Sequence, residues 1–263
     1  MRVCTLASGS SGNCTYIEGN GASVLVDAGL SGKAIKQGLE TIGVDPLDLD
    51  GIMVTHEHLD HIKGAGILSR RYDLKIYATA MTWEQMLPTV GNIEDCNRGV
   101  LRREDYLEIE DLKIECFETS HDAAESIGFC FASGRVKVGI TTDTGLLTRQ
   151  ARKHVDGSDL LIFEANHDLD MLKSGRYPWS VKQRILSDRG HMSNIAAGHC
   201  LASLISGKTN KVILAHLSRD NNTPELAFKT VADVLQESGL TPGQDLVMEV
   251  APRFGPGTIW DMV

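Results

Sequence analysis

The chain has 263 residues, a formal net charge of −9 and a mean hydropathy of −0.12. That length holds one large domain or two small ones around a sizeable core, and the acidic balance argues against non-specific adhesion to nucleic acid or anionic membrane while leaving local basic patches open. No run approaches the ~18 apolar residues a membrane helix needs. The first ten residues contain too short an apolar stretch for a secretory signal, so a cytoplasmic location with no membrane contact is expected.

The N-terminal part is rich in strands. Residues 4–7, 15–17 and 23–26 are short β-type runs broken by Gly9-Ser10-Ser11-Gly12-Asn13 and by Gly19-Asn20-Gly21. Residues 32–42 have helical spacing (Ala34, Ile35, Leu39, Ile42) and end at Gly43, a suitable C-cap. An apolar strand over 51–55 runs straight into His56, followed by a helix over 62–71 and a strand over 75–78. The middle repeats the habit, with strands at Leu112–Glu118, 127–132, Val136–Thr141 and Leu160–Glu164. Helices over 148–154, 180–187 and 194–205 follow. Then come a strand at Lys211–Ala215, a helix over 224–238 opened by Pro224, and a last strand over 246–250. No linker, repeat or low-complexity block divides the chain, so residues 1–263 read as a single domain. Strands followed by helices, twice over, fit an α/β (α+β) domain layered helix–sheet–sheet–helix and made of two similar halves. Six cysteines with scattered spacing and no Cys-x-x-Cys pair read as small core residues in a reducing compartment, not as a disulfide framework.

The densest chemistry lies in His56-Glu57-His58-Leu59-Asp60-His61, directly after an apolar strand. Neutral imidazole and carboxylate are natural ligands of zinc, manganese and iron. The strand holds His56, and the following loop is expected to turn His58, Asp60 and His61 toward one point. The spacing lets His56 and His58 take one cation and Asp60 and His61 another. Further ligands should come from other strand ends. His121, Asp143 and His216 each follow one. Singly, each has a bland alternative: an N-cap for Asp143 and a satisfied core histidine for the others. Together and in this order they outweigh it. His154 and His199 lie inside helical stretches and read as structural.

This pattern resembles the metallo-β-lactamase superfamily along the whole chain. The resemblance implies a four-layer αββα sandwich and two divalent ions per chain, Zn²⁺ or Mn²⁺. It assigns His56, His58 and His121 to one ion and Asp60, His61 and His216 to the other, with Asp143 bridging. Antibiotic-hydrolysing members are usually exported, and many use a Cys ligand that is absent here. The interval from Asp143 to His216 is too short for the inserted β-CASP domain of related nucleases. The opening Ser8-Gly9-Ser10-Ser11-Gly12-Asn13 is similar to the YycJ/WalJ branch. So are Thr141-Thr142-Asp143-Thr144-Gly145, Glu164-Ala165-Asn166-His167-Asp168, Tyr177-Pro178 and Gly190-His191-Met192-Ser193-Asn194. Members of that branch are described as cytoplasmic hydrolases, with DNA 5′→3′ exonuclease activity and a mismatch-repair link proposed.

What the resemblance implies is a phosphodiesterase, an exonuclease with DNA as substrate. Two metals would lower the pKa of a bridging water and polarise the phosphoryl group. Asp60 would hold and orient the resulting metal-bridging hydroxide. His191 is the candidate to protonate the leaving alkoxide; the bland alternative is a residue that only caps or orients the helix after it. His167, Asn166, Arg176 and Tyr177 are candidate substrate contacts, and Trp179 a second stacking platform. Lys173, Arg176, Lys182, Arg184 and Arg189, with Lys63, Arg70, Arg71 and Lys75, flank the site as a phosphate-tracking groove requires; solvated helix faces are the competing reading. Residues 8–13 read as a β-turn, or else as a nest of N–H groups for phosphate. A small-molecule hydrolase of the same fold, acting on a thioester, lactone or cyclic phosphate, is the main alternative function. A non-catalytic binding module ranks last because every ligand position is filled. Oligomeric state is left open.

Overall fold

A computed structural model describes residues 1–19, 21–205 and 208–262. The expected turn at Gly19-Asn20-Gly21 includes Asn20, which lies outside them. The first sheet begins as an antiparallel meander of β1 (Arg2–Ala7), β2 (Cys14–Gly19) and β3 (Ala22–Val26). It continues in parallel through β4 (Gly51–Met53), β5 (Lys75–Thr79) and β6 (Arg98–Leu101). The crossovers contain helices α1 (Gly32–Thr41), α2 (Leu59–Ile62), α3 (Ala65–Tyr72) and α4 (Ala80–Val90).

The second sheet repeats this plan. Strands β7 (Tyr106–Ile109), β8 (Leu112–Glu118), β9 (Ile127–Ser133) and β10 (Val136–Thr141) pair antiparallel. β11 (Leu160–Glu164), β12 (Lys211–Ala215) and β13 (Val247–Val250) then add in parallel. Their connections carry α5 (Arg149–Val155), α6 (Leu169–Ser174), α7 (Trp179–Ile185), α8 (Asn194–Leu204) and α9 (Pro224–Glu237). Finally β14 (Trp260–Asp261) returns to pair with β1.

Side-chain alternation along the strands builds the layers. Val3, Ile17, Val24 and Met53 of the first sheet meet Ile114, Phe129, Phe131, Ile140 and Ile162 of the second in one central core. Their neighbours Cys4, Leu6, Leu25 and Ile52 face the other way, against Ile35, Leu39, Leu68 and Met86. On the far side Phe117, Leu161, Phe163 and Leu214 pack on Val155, Leu201 and Val231. Three cores between four layers make the αββα sandwich. Cys4, Cys14, Cys116 and Cys130 are buried, and all six cysteines are free. No helix among the described residues is long and apolar enough to cross a membrane.

Local structure departs from the expected elements in instructive places. The helix expected over 62–71 is two helices, broken at Gly64, where an added Cβ would lie 2.4 Å from Leu30 O. Asp60 and His61 therefore sit on a helical turn with His58 at its N-cap, not in a loop. The helix α4 escapes sequence reading because Thr82 and Pro88 weaken its pattern. Edge strands β6, β7 and β14 are short and only partly buried.

Because β8 and β10 are both antiparallel to β9, they run in one direction. Their C-terminal ends, with those of β11 and β12, lie at one edge of the second sheet, as those of β1, β3 and β4 do in the first. Gly29, just after β3, is pressed against the first turn of α2: a Cβ there would stand 1.6 Å from Asp60 O. Gly29→Ala should lower stability by about 3 kcal/mol, the upper end of ordinary overpacking, and urea unfolding would show a lower midpoint at unchanged slope. An unaltered midpoint would contradict this account of Gly29.

Candidate metal centre

The centre assembles from strand ends. Past β4 the chain runs through Thr55 to His56, which is fully buried. His56 Nε2 faces His58 Nδ1 at 3.0 Å. His121, beyond β8, brings its Nε2 to 3.7 Å from Asp143 Oδ1. On the other side, Asp143 Oδ2 is 3.4 Å from His61 Nε2, while Asp60 Oδ2 is 3.7 Å from His61 Nε2 and 3.6 Å from His216 Nε2. Potential ligand atoms of His56, His58 and His121 lie within 4.8 Å of one another, and so do those of Asp60, His61 and His216. Two further groups are as compact, His56 with His61 and Asp143, and Asp143 with Glu164, His191 and His216; the resemblance implies the first two, and Asp143 Oδ1 also lies 3.5 Å from His216 Nδ1.

The donor set fits divalent cations. Two neighbouring ligands, each about 2.1 Å from one ion, stand roughly 3–3.5 Å apart, close to the spacings found here. His121 Nε2, His216 Nε2 and Asp143 Oδ2 are buried with no hydrogen-bond partner, which is costly unless something binds them. Each of four rings is held by its other nitrogen. His56 Nδ1 lies 3.0 Å from Thr55 Oγ1, and His61 Nδ1 2.7 Å from Asp27 Oδ2. His121 Nδ1 lies 3.1 Å from Gly190 O, and His216 Nδ1 2.9 Å from Glu164 Oε1. Such outer partners fix the ring orientation and turn the other nitrogen inward.

Two of these partners, Asp27 and Glu164, were not picked out from the sequence as functional. Asp27 also accepts from Thr55 N and Thr55 Oγ1. Glu164 Oε1 serves His191 Nδ1 (2.8 Å) as well as His216, and its Oε2 accepts from Thr144 N at 2.7 Å. The available signal was an acid at the C-terminal end of an apolar strand. Asn13 and Ser8 act similarly. Asn13 N donates to Asp60 O, Asn13 Nδ2 lies 3.1 Å from His61 Nε2, and Ser8 Oγ accepts from His216 N. The glycine-rich turn therefore braces the centre through these contacts.

Asp27, Asp143 and His216 all have positive φ (61°, 53° and 57°). Non-glycine residues hold that conformation at an energetic cost that is characteristic of functional sites.

Burial opposes ionisation of Glu164, yet the His191 and His216 imidazoles outweigh it and hold the carboxyl well below its usual range. Burial likewise opposes a charge on His61, but Asp143, Asp27 and Asp60 raise it to about 9. His216 is also raised, against burial, by Asp143, Asp60 and Glu164. Burial keeps His56 and His121 below the ordinary imidazole value.

A cavity of about 300 Å³ opens over the centre. Its lining includes Asp60, Asp143, His58 and His216 together with His191, Asn166, Tyr177, Arg184 and Ser218. Tyr177 donates its hydroxyl to Asp220 at 2.9 Å, and Asn166 Nδ2 donates to His216 O. The other two expected substrate contacts are not in the lining. Arg176 is exposed outside it, and His167 is buried beneath the surface, its pKa brought down to about 4 by desolvation. Trp179 is exposed and also outside. Of the basic side chains in the two flanks, Arg184 alone reaches the cavity among the described residues. Arg189 turns back to His121 O, Lys182 to Lys173 O, and Arg70 to Val90 O.

Two predictions follow from these contacts. Replacing Glu164 by Gln removes the charge that fixes two imidazoles, and should weaken metal affinity by about 10–100-fold; competition with a chelator measures it, and wild-type affinity would count against this role. The metal-free protein should be most stable near pH 6.5. Folded His61 titrates above its unfolded value, so its contribution is full below pH 6.5 and fades toward pH 9. His56 and His121 titrate below theirs, so stability also falls under pH 6.5. Melts with and without chelator should show a metal-induced gain that grows from pH 6.5 to 9; a constant gain would contradict it.

Residues 7–216 match the family model of the metallo-beta-lactamase superfamily. The chain is 44% identical over 244 residues to exodeoxyribonuclease YycJ of Bacillus anthracis, covering 93% of this chain and 92% of that one. It is 40% identical over 255 residues to exodeoxyribonuclease WalJ of Streptococcus pneumoniae, covering 96% and 95%. In three dimensions it is similar to the metallo-beta-lactamase fold protein YhfI of Bacillus subtilis, with a TM-score of 0.75, 20% identity and 99% of both chains covered. The protein thus belongs to the metallo-beta-lactamase superfamily and, within it, to the YycJ/WalJ family of exodeoxyribonucleases.

Proposed function

We propose that this protein is a metal-dependent phosphodiesterase that degrades DNA from an end, working as one domain in the cytoplasm. The observation that carries the reading is the convergence of buried, unpartnered ligand atoms on two adjacent positions. The relatives' activity supports DNA as substrate. His56, His58 and His121 would hold one cation, Asp60, His61 and His216 another, with Asp143 between them. Ligands without thiolate suit Zn²⁺ or Mn²⁺. When bound, the cations supply Lewis acidity to the phosphoryl group and lower the pKa of an attacking water.

The chain's own groups do the rest. Asp60, ionised despite its partial burial because His216 and His61 face it, orients the nucleophile. His191 donates Nδ1–H to Glu164 and lines the cavity, so its Nε2 is the atom that delivers a proton to the leaving alkoxide. Tyr177 offers a ring on which an unstacked base can rest. A cavity of this size lies at the low end for small ligands and takes one nucleotide unit, not a duplex, which favours attack at an unpaired end. The same small volume also favours a second reading, a hydrolase of a small phosphodiester, lactone or thioester.

Labelled single- and double-stranded DNA and RNA, assayed with Mn²⁺, Zn²⁺ or chelator, decide between them. DNA should be shortened from an end in the presence of metal only. His58→Ala should lose at least about 100-fold in rate, and a variant as fast as wild type would refute the site. His191→Gln should lose about 10²–10⁴-fold in kcat with metal content intact. Turnover of a small ester with DNA untouched would establish the second reading.

A further inference from the structure

The wall of the cavity carries an ion pair that the metal centre does not explain. Arg184 Nε lies 3.1 Å from Asp122 Oδ2, and the Arg184 side chain is 62% exposed. Asp122 directly follows His121. Its Oδ1 is buried without a hydrogen-bond partner, 3.4 Å from His121 Nε2. One carboxylate thus reaches from the inward nitrogen of His121 to the single Lys or Arg found in the cavity lining among the described residues. The wall beneath Arg184 is stiff. Cβ atoms added at Gly145 or Gly190 would come within 2.4 Å of carbonyl oxygens in Ile185–Asp188 and Arg184. Arg189 clamps the same turn to His121 O through Nε (3.3 Å) and Nη2 (3.1 Å). The backbone of Arg184 is therefore held beside the centre, and the ion pair with Asp122 directs its guanidinium.

A guanidinium whose Nε is taken by a carboxylate keeps its two Nη groups as a planar edge, suited to two phosphate oxygens. The phosphate being cleaved is served by the centre itself. A cation beside the centre has a natural partner in the next negative group along the substrate. We propose that Arg184 determines specificity by binding a phosphate that flanks the scissile one, and that Asp122 is the positioning residue that aims it. The assignment rests on the phosphodiesterase reading above. A substrate with two phosphates gains from Arg184; one with a single phosphate does not gain as much.

The test compares the metal-loaded full chain with Arg184→Gln, Arg184→Lys and Asp122→Asn on two substrates: a labelled DNA oligonucleotide, and bis(p-nitrophenyl) phosphate, which has one phosphate. Arg184→Gln should lower kcat/KM on the oligonucleotide by about 10–100-fold, the scale of one charge-assisted contact. The loss should fall mainly on KM and exceed that on the small substrate at least tenfold. Arg184→Lys should recover part of it, and Asp122→Asn should shift KM in the same direction by less. The salt dependence of oligonucleotide binding should also weaken by about one phosphate contact. Parallel losses on both substrates, or wild-type kinetics in the Arg184 variants, would overturn the assignment while leaving the phosphodiesterase reading standing. If wild-type protein turned over neither substrate, that reading would fail and this one with it.

Discussion

The constraint on which the structure turns is the burial of many ionisable groups at one edge of two sheets. Imidazoles and carboxylates taken out of water are tolerated only when paired or bound to a cation. Here four of the rings are each backed by a fixed acceptor: Asp27 for His61, Glu164 for His216, Gly190 O for His121 and Thr55 for His56. The sheets supply the stiffness. Three apolar cores fix the strand ends, and close glycine contacts at Gly29 and Gly145 leave the loops little room to relax. The positive φ values at Asp27, Asp143 and His216 show that the backbone accepts local strain to keep these side chains in place.

The two halves of the fold repeat at the level of chemistry as well as topology. Asp27-Ala28-Gly29 follows β3, and Asp143-Thr144-Gly145 follows β10. Both strands stand where an antiparallel meander gives way to parallel crossovers. Both aspartates are left-handed, and both glycines lie against backbone where no Cβ fits. One turn orients an imidazole, and the other places a carboxylate among the candidate ligand atoms.

How much of this was legible in the sequence depended on distance along the chain. The ligand-rich stretch from His56 to His61 is local and could be read at once. His121, Asp143 and His216 were legible because each follows an apolar strand, and the layered fold followed from strand–helix alternation. Asp27 and Glu164 were not, because the rings they hold lie 34 residues away for Asp27 and 27 and 52 for Glu164. Charge also misled where facing mattered. Arg176, Lys182 and Arg184 sit close together in sequence, but only the position that shares a face with Val181 and Ile185 turns to the cavity. His167 looked available beyond its strand, yet its bridge to Ser193 places it beneath the surface.

The brace between Ser8 Oγ and His216 N joins residues 208 apart in sequence, and β14 closes on β1 only at the far end of the chain. This has a consequence for biogenesis. During synthesis the candidate ligands from His56 to His61 emerge early, but the candidate group that includes His216 waits for that residue, and its support waits for the contact between Ser8 and Pro252. A nascent chain that stops short of His216 thus lacks both that imidazole and the brace Ser8 gives it.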